Sequence, residues 1–134
     1  MENEQIHTSS KDPAERLLSV VVAALEDAKA RDMTSLDVTH LTSITDYLVI
    51  CSGTSSRHLK TIAETAMEKV RSAGFEILGH EGGGVSEWVV VDCGDVVLHV
   101  MSPQAREFYN LENLWGMDRQ QEAESKPARV DPPK

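Results

Sequence analysis

From residue 12 onward, Leu17, Leu18, Val21, Val22, Leu25 and Ala28 recur at the spacing that lines one face of a helix. Asp12-Pro13-Ala14-Glu15 provides its start, with Asp12 as cap, Pro13 at the first helical position and Glu15 completing a capping-box pattern. The spacing predicts a helix over residues 13–31. Leu36 and Val38 then alternate with polar neighbours, as in a half-buried strand, whereas residues 47–51 form the unbroken apolar run of a central strand covered on both faces. Gly53-Thr54-Ser55-Ser56 breaks that run and offers hydroxyl caps to a second helix carrying Leu59, Ile62, Ala63, Ala66, Met67 and Val70, ended by Gly74. A third strand is predicted over residues 75–80, followed by a loop through Gly82, Gly83 and Gly84, whose glycines leave the backbone mobile. Residues 88–91 and 96–101 are two more strands, and Asp92-Cys93-Gly94-Asp95 between them signals a tight antiparallel hairpin. Ser102-Pro103 opens a last helix with Phe108, Leu111, Leu114 and Trp115 as its apolar positions.

The predicted order αββαβββα implies an α/β (α+β) domain, a mixed sheet of about five strands with flanking helices, and leaves the strand order open. A length of 134 residues fits one domain that buries its core without metal or disulfide support. Residues 1–11, and residues 117–134 with Pro127, Pro132 and Pro133, are polar and aperiodic and are expected to be disordered tails around a domain at 12–116. No apolar run approaches the ~20 residues of a membrane-spanning helix, so no membrane partner is expected. Cys51 and Cys93 sit inside apolar runs and form no C-x-x-C pair, which suggests reduced core thiols. The first residues resemble neither a secretory signal nor a transit peptide, and a cytoplasmic protein is expected.

The search for chemistry yields little. His7, His40, His58, His80 and His99 are scattered, with no H-E-x-x-H and no Cys/His cluster at ligand spacing, so no metal is expected. By alternation His99 shares a face with Val97 and Met101, where it is either a hydrogen-bonded core residue or a contact at the rim of the sheet. Gly53-Thr54-Ser55-Ser56 with Arg57 could hold a phosphate, but neither a Walker pattern nor G-x-G-x-x-G is present and helix capping needs the same residues. Residues 76–80 offer no acidic pair at alternate positions for a two-metal phosphoryl-transfer site, and Asp92 and Asp95 flank a turn that suits Asx-type hydrogen bonds. No catalytic residue and no cofactor is assigned. A nucleotide-binding or nucleotidyltransferase-type enzyme stays open as the alternative.

Charge and aromatic placement point instead to a binder. Residues 76–112 hold Glu76, Glu81, Glu87, Asp92, Asp95, Glu107 and Glu112 against Arg106, about two-thirds of the net charge of −9. Such a segment repels DNA or RNA phosphates and favours a basic protein surface. Among the few aromatics, Trp88, Tyr109 and Trp115 lie in or beside it, and amphipathic aromatics of this kind either seal a core or anchor an interface. They could equally serve a homodimer.

Several motifs occur together in order: Ser43-Ile44-Thr45-Asp46-Tyr47; Cys51-Ser52-Gly53-Thr54-Ser55-Ser56-Arg57-His58; the stretch Trp88 to Met101 containing Asp92, Gly94, Asp95 and His99; and Arg106-Glu107-Phe108-Tyr109 continuing to Leu111, Glu112, Leu114 and Trp115. Over residues 14–116 the chain resembles the ribosome silencing factor family, also called Iojap-like proteins. The resemblance implies a fold related to nucleotidyltransferases without their catalytic acids. It also implies binding to the large ribosomal subunit through ribosomal protein L-fourteen, which blocks joining of the small subunit and represses translation when nutrients are scarce. By the same resemblance Trp88, Asp92, Asp95, His99, Arg106, Tyr109 and Glu112 are candidates for the contact surface.

Overall fold

The computed structural model describes residues 12–83 and 87–111. The elements run α1 (Pro13–Asp27), β1 (Arg31–Asp37), β2 (Tyr47–Ser52), α2 (Ser56–Ser72), β3 (Gly79–Glu81), β4 (Trp88–Asp92), β5 (Val96–Met101) and α3 (Pro103–Tyr109). The predicted order is the observed one, and the strands form one five-stranded mixed sheet in the order β1-β2-β5-β4-β3. Only β2 and β5 run parallel. β1 joins β2, and β4 joins both β5 and β3, antiparallel.

Two apolar layers follow from strand alternation. Leu17, Val21 and Leu25 of α1 and Leu59, Ile62 and Val70 of α2 pack with Val49, Cys51, Val89, Val91, Leu98 and Val100 on one face of the sheet. Each large aliphatic side chain buried there contributes roughly 1.5–3 kcal/mol. On the other face Leu48, Ile50 and Met101 meet Val38, Ala105 and Leu111 in a smaller cluster. β2 is therefore covered on both sides, as its continuous apolar run predicts. Both cysteines are buried free thiols, and burial pushes Cys51 up to about 12 and Cys93 up to about 11. No helix among the described residues is long and apolar enough to cross a membrane.

Two boundaries and the placement of one side chain differ from the sequence expectation. α1 ends at Asp27, not at residue 31, because Lys29 adopts φ 63° and the Ala30 amide donates back to the Leu25 carbonyl at 2.9 Å. That left-handed turn frees Arg31 to open β1. The third strand is confined to Gly79–Glu81: Phe75 and Ile77 pack on the core without sheet pairing, and Leu78 stays 62% exposed. Phe108, expected on the apolar face of the last helix, is 79% exposed. The expected tails, and Leu114, Trp115 and Gly84, lie outside the described residues.

Candidate functional site

The antiparallel register sets Trp88, the first residue of β4, opposite Met101, the last of β5, and the chain passes directly from Met101 through Ser102 into α3. Ser102 fastens the junction. Its Oγ accepts from the Ala105 amide at 3.1 Å as the helix cap and donates to Glu87 Oε1 at 2.7 Å, while its own amide donates to the Glu87 carbonyl at 2.9 Å. Pro103 fits the first turn, where no backbone donor is needed. With Ala105 turned into the core, Phe108 and Tyr109 project outward beside Trp88.

These side chains form an aromatic row. The Tyr109 ring lies 4.6 Å from Trp88 at 46°, and Phe108 meets Tyr109 edge-on at 4.9 Å and 87°. Trp88 Nε1 donates to His99 Nδ1 at 3.0 Å, which fixes the indole plane and leaves the imidazole proton on Nε2. Glu87, Trp88, Gln104, Ala105, Phe108 and Tyr109 line an open groove of about 650 Å³. An aromatic floor with a carboxylate at its margin suits an apolar or cationic side chain from a partner.

His99 is half-buried, and burial pushes its pKa down from 6.5 to about 4. The unfolded chain therefore takes up a proton between those values that the folded chain refuses, so stability is lost as pH falls through that window. The loss is on the order of 2–3 kcal/mol by pH 4 and levels off about a unit below it. A His99→Gln variant should lack this component, and urea unfolding of both proteins at pH 7 and pH 4.5 measures it as the difference between them.

The remaining sequence candidates are dispersed. Arg106 turns away from the groove: its guanidinium donates to the Asp32 carbonyl, to Ser52 Oγ at 3.1 Å and to Thr34 Oγ1 at 3.1 Å, clamping α3 to β1 and β2. Asp92 lies at the far end of β4 from Trp88, ~13 Å along the strand, and its Oδ1 accepts from the Gly94 amide at 2.9 Å. Asp95 is exposed in that same turn, where its carbonyl accepts from the Asp46 and Tyr47 amides. Burial and the neighbouring Asp95 raise the Asp46 carboxyl above its ordinary range. Glu112 lies outside the described residues. Trp88, His99 and Tyr109 are thus brought together, Arg106 supports them from behind, and Asp92 and Asp95 form a separate acidic turn.

Sequence reasoning missed Phe108, Glu87 and Gln104 as members of the site. The available signal was the pair Phe108-Tyr109: adjacent helical positions point ~100° apart, too wide for two bulky rings to share the narrow buried face of a two-turn helix.

The Gly53 turn is consumed by folding. The Gly53 amide donates to the Met101 carbonyl, the Thr54 amide to His58 Nδ1, and the His58 amide to Ser55 Oγ. A Cβ at Gly53 would come within 2.7 Å of Leu59 Cδ2, so its glycine serves helix packing. No group of three or more metal-binding side chains occurs among the described residues.

Comparison with known proteins agrees with this architecture. Residues 11–134 match the family described as ribosomal silencing factor during starvation. The chain is 41% identical over 102 residues to the ribosomal silencing factor of Chromobacterium violaceum, covering 76% of this chain and 84% of that one. It is 37% identical over 103 residues to a longer Mus musculus protein named mitochondrial assembly of ribosomal large subunit protein 1, covering 73% of this chain and 44% of that one. A crystal structure of a C. violaceum protein superposes with a TM-score of 0.76 at 36% identity, covering 90% of this chain and 95% of that chain. A match that runs through the sheet, both helix layers and the aromatic row makes this chain a member of the ribosomal silencing factor family.

Proposed function

We propose that residues 12–116 dock on the large ribosomal subunit through basic ribosomal protein L-fourteen and there sterically exclude the small subunit, repressing translation under nutrient limitation. The activity is occupancy of a site in the cytoplasm, with no bond made or broken and no cofactor. The observation that carries this reading is the aromatic row Trp88-Tyr109-Phe108, its last two rings exposed and Glu87 at its margin, in a chain of net charge −9. Interface anchors are typically such aromatics, and surrounding acids steer a basic target toward them. The name of the mouse relative, which concerns assembly of the large subunit, favours that subunit over the small one. A standard interface buries ~1,600 Å² in total, within reach of one face of this domain.

Of the candidate contact residues, Trp88 and Tyr109 touch the partner in this reading, and His99 and Arg106 position them. Asp92, Asp95 and Glu112 act as steering charges. Sucrose-gradient profiling tests the reading: added to separated subunits under joining conditions, the protein should co-sediment with large subunits while joined ribosomes diminish. An undiminished joined peak at saturating protein would refute it. Calorimetry with nucleoside triphosphates and magnesium should give no heat of binding, whereas the enzymatic alternative requires it.

A further inference from the structure

The net negative charge conceals a basic corner at the end of the sheet that also carries the aromatic groove. Three segments meet there. Arg31 lies opposite Ser52 in the β1–β2 register. His58 Nε2 lies 2.9 Å from the Ala28 carbonyl, which brings Lys29 next to the first turn of α2, where Arg57 and Lys60 stand one turn apart. All four cations are exposed, and no carboxylate forms an ion pair with any of them among the described residues. Between Tyr47 and Ala63 the chain has no acid at all. Of the nearby acids, Asp27 is taken up by Lys69 at 3.2 Å, Asp32 stands beside Arg31, and Glu64 lies one turn beyond Lys60 on α2 without an ion pair to it.

The corner adjoins the groove. Gly53 donates to the Met101 carbonyl just before α3, and Arg106 of α3 reaches Asp32 and Ser52 on the other side. The Gly53, Thr54 and His58 amides already have partners, so half of the turn's donors are spent on the fold and not on a small phosphate. Spread, exposed cationic side chains suit an extended polyanion instead, where each contact releases counterions. A protein that docks on a ribosomal protein meets the surrounding RNA at the edge of its footprint.

We infer that Lys29, Arg31, Arg57 and Lys60 form a second contact surface that takes the phosphate backbone of RNA beside the protein partner held in the aromatic groove. The inference rests on the docking reading above and extends it from one partner to two. It also reverses, for one corner of the molecule, the expectation that nucleic acid is excluded.

The test compares two double variants of equal charge. Arg57→Ala/Lys60→Ala removes half of the corner. Arg16→Ala/Arg71→Ala removes the same charge roughly 20 Å away, at the start of α1 and the end of α2, and leaves the Lys69–Asp27 pair in place. Thermal melts establish that both are folded. On intact large subunits the corner variant should bind at least tenfold more weakly at ~0.1 M salt, with the slope of log affinity against log salt reduced by about 2. The distal variant should match the parent on both counts, and binding of the corner variant to purified ribosomal protein L-fourteen should be unchanged. Equal losses for the two variants, an equal loss on the purified protein, or no loss on subunits overturns the inference. Failure of the unmodified protein to bind either target is a different result: it removes the docking reading itself and the inference with it.

Discussion

Phe108→Ala should weaken binding to large ribosomal subunits by roughly 30- to 1,000-fold, the equivalent of about 2–4 kcal/mol, while changing unfolding stability by less than ~0.5 kcal/mol. Phe108 is 79% exposed and contacts the rest of the fold through the edge of Tyr109, so its removal opens no cavity. An aromatic held out in water at the margin of a groove contributes little to the free protein, and its apolar area becomes favourable only when a partner covers it. Trp88→Ala is a less selective probe. The indole is half-buried and donates to His99, so truncation would leave that imidazole without its donor and lower stability together with binding. Co-sedimentation of Phe108→Ala with large subunits, beside a chemical-denaturation curve, separates the two effects. Undiminished co-sedimentation would place the contact surface elsewhere.

Much of the fold was legible because its signals are local. Capping residues Asp12, Ser55 and Ser102 mark the three helix starts and occupy those positions in the structure. The apolar run of β2 and the turn residues between β4 and β5 place the centre of the sheet correctly. The end of α1 was hidden because a lysine, and not a glycine, takes the left-handed position at residue 29. The shape of the site was less legible for a related reason. α3 spans only Pro103–Tyr109, and Asn110 turns the chain at φ 54° before Leu111 enters the core, so helical spacing no longer decides which side chain faces inward. Extending the period through residue 111 puts Phe108 on one face with Leu111, whereas the turn at Asn110 sends Leu111 into the core and breaks that relation. Arg106 illustrates a different limit. Its partners at Asp32, Thr34 and Ser52 are remote in sequence, and no spacing rule could have turned it from a surface charge into a clamp.

Gly82→Ala should be among the most damaging single-methyl substitutions in the domain, at about 2–4 kcal/mol, or a fall of roughly 10–20 °C in melting temperature. The sequence suggests only a permissive loop at this position, yet Gly82 is held at φ 97° with the β4 backbone against it: an added Cβ would collide with the Trp88 carbonyl oxygen and lie 3.0 Å from Val89 Cα. Both obstacles are main-chain atoms, so no rotamer change relieves them. Either β3 withdraws from β4, giving up the pairing of Glu81 with Val90, or the start of β4 shifts and carries Trp88 with it. Gly83 is the internal reference. It has φ 109° but no atom within 4 Å of an added Cβ, so Gly83→Ala should incur only the backbone penalty of ~1 kcal/mol. If the strand-to-strand approach at Gly82 aims the aromatic row, then Gly82→Ala should also bind large subunits more weakly than Gly83→Ala at a temperature where both are fully folded. Equal melting temperatures would mean that β3 yields without resistance and that Trp88 is oriented by His99 and α3 alone.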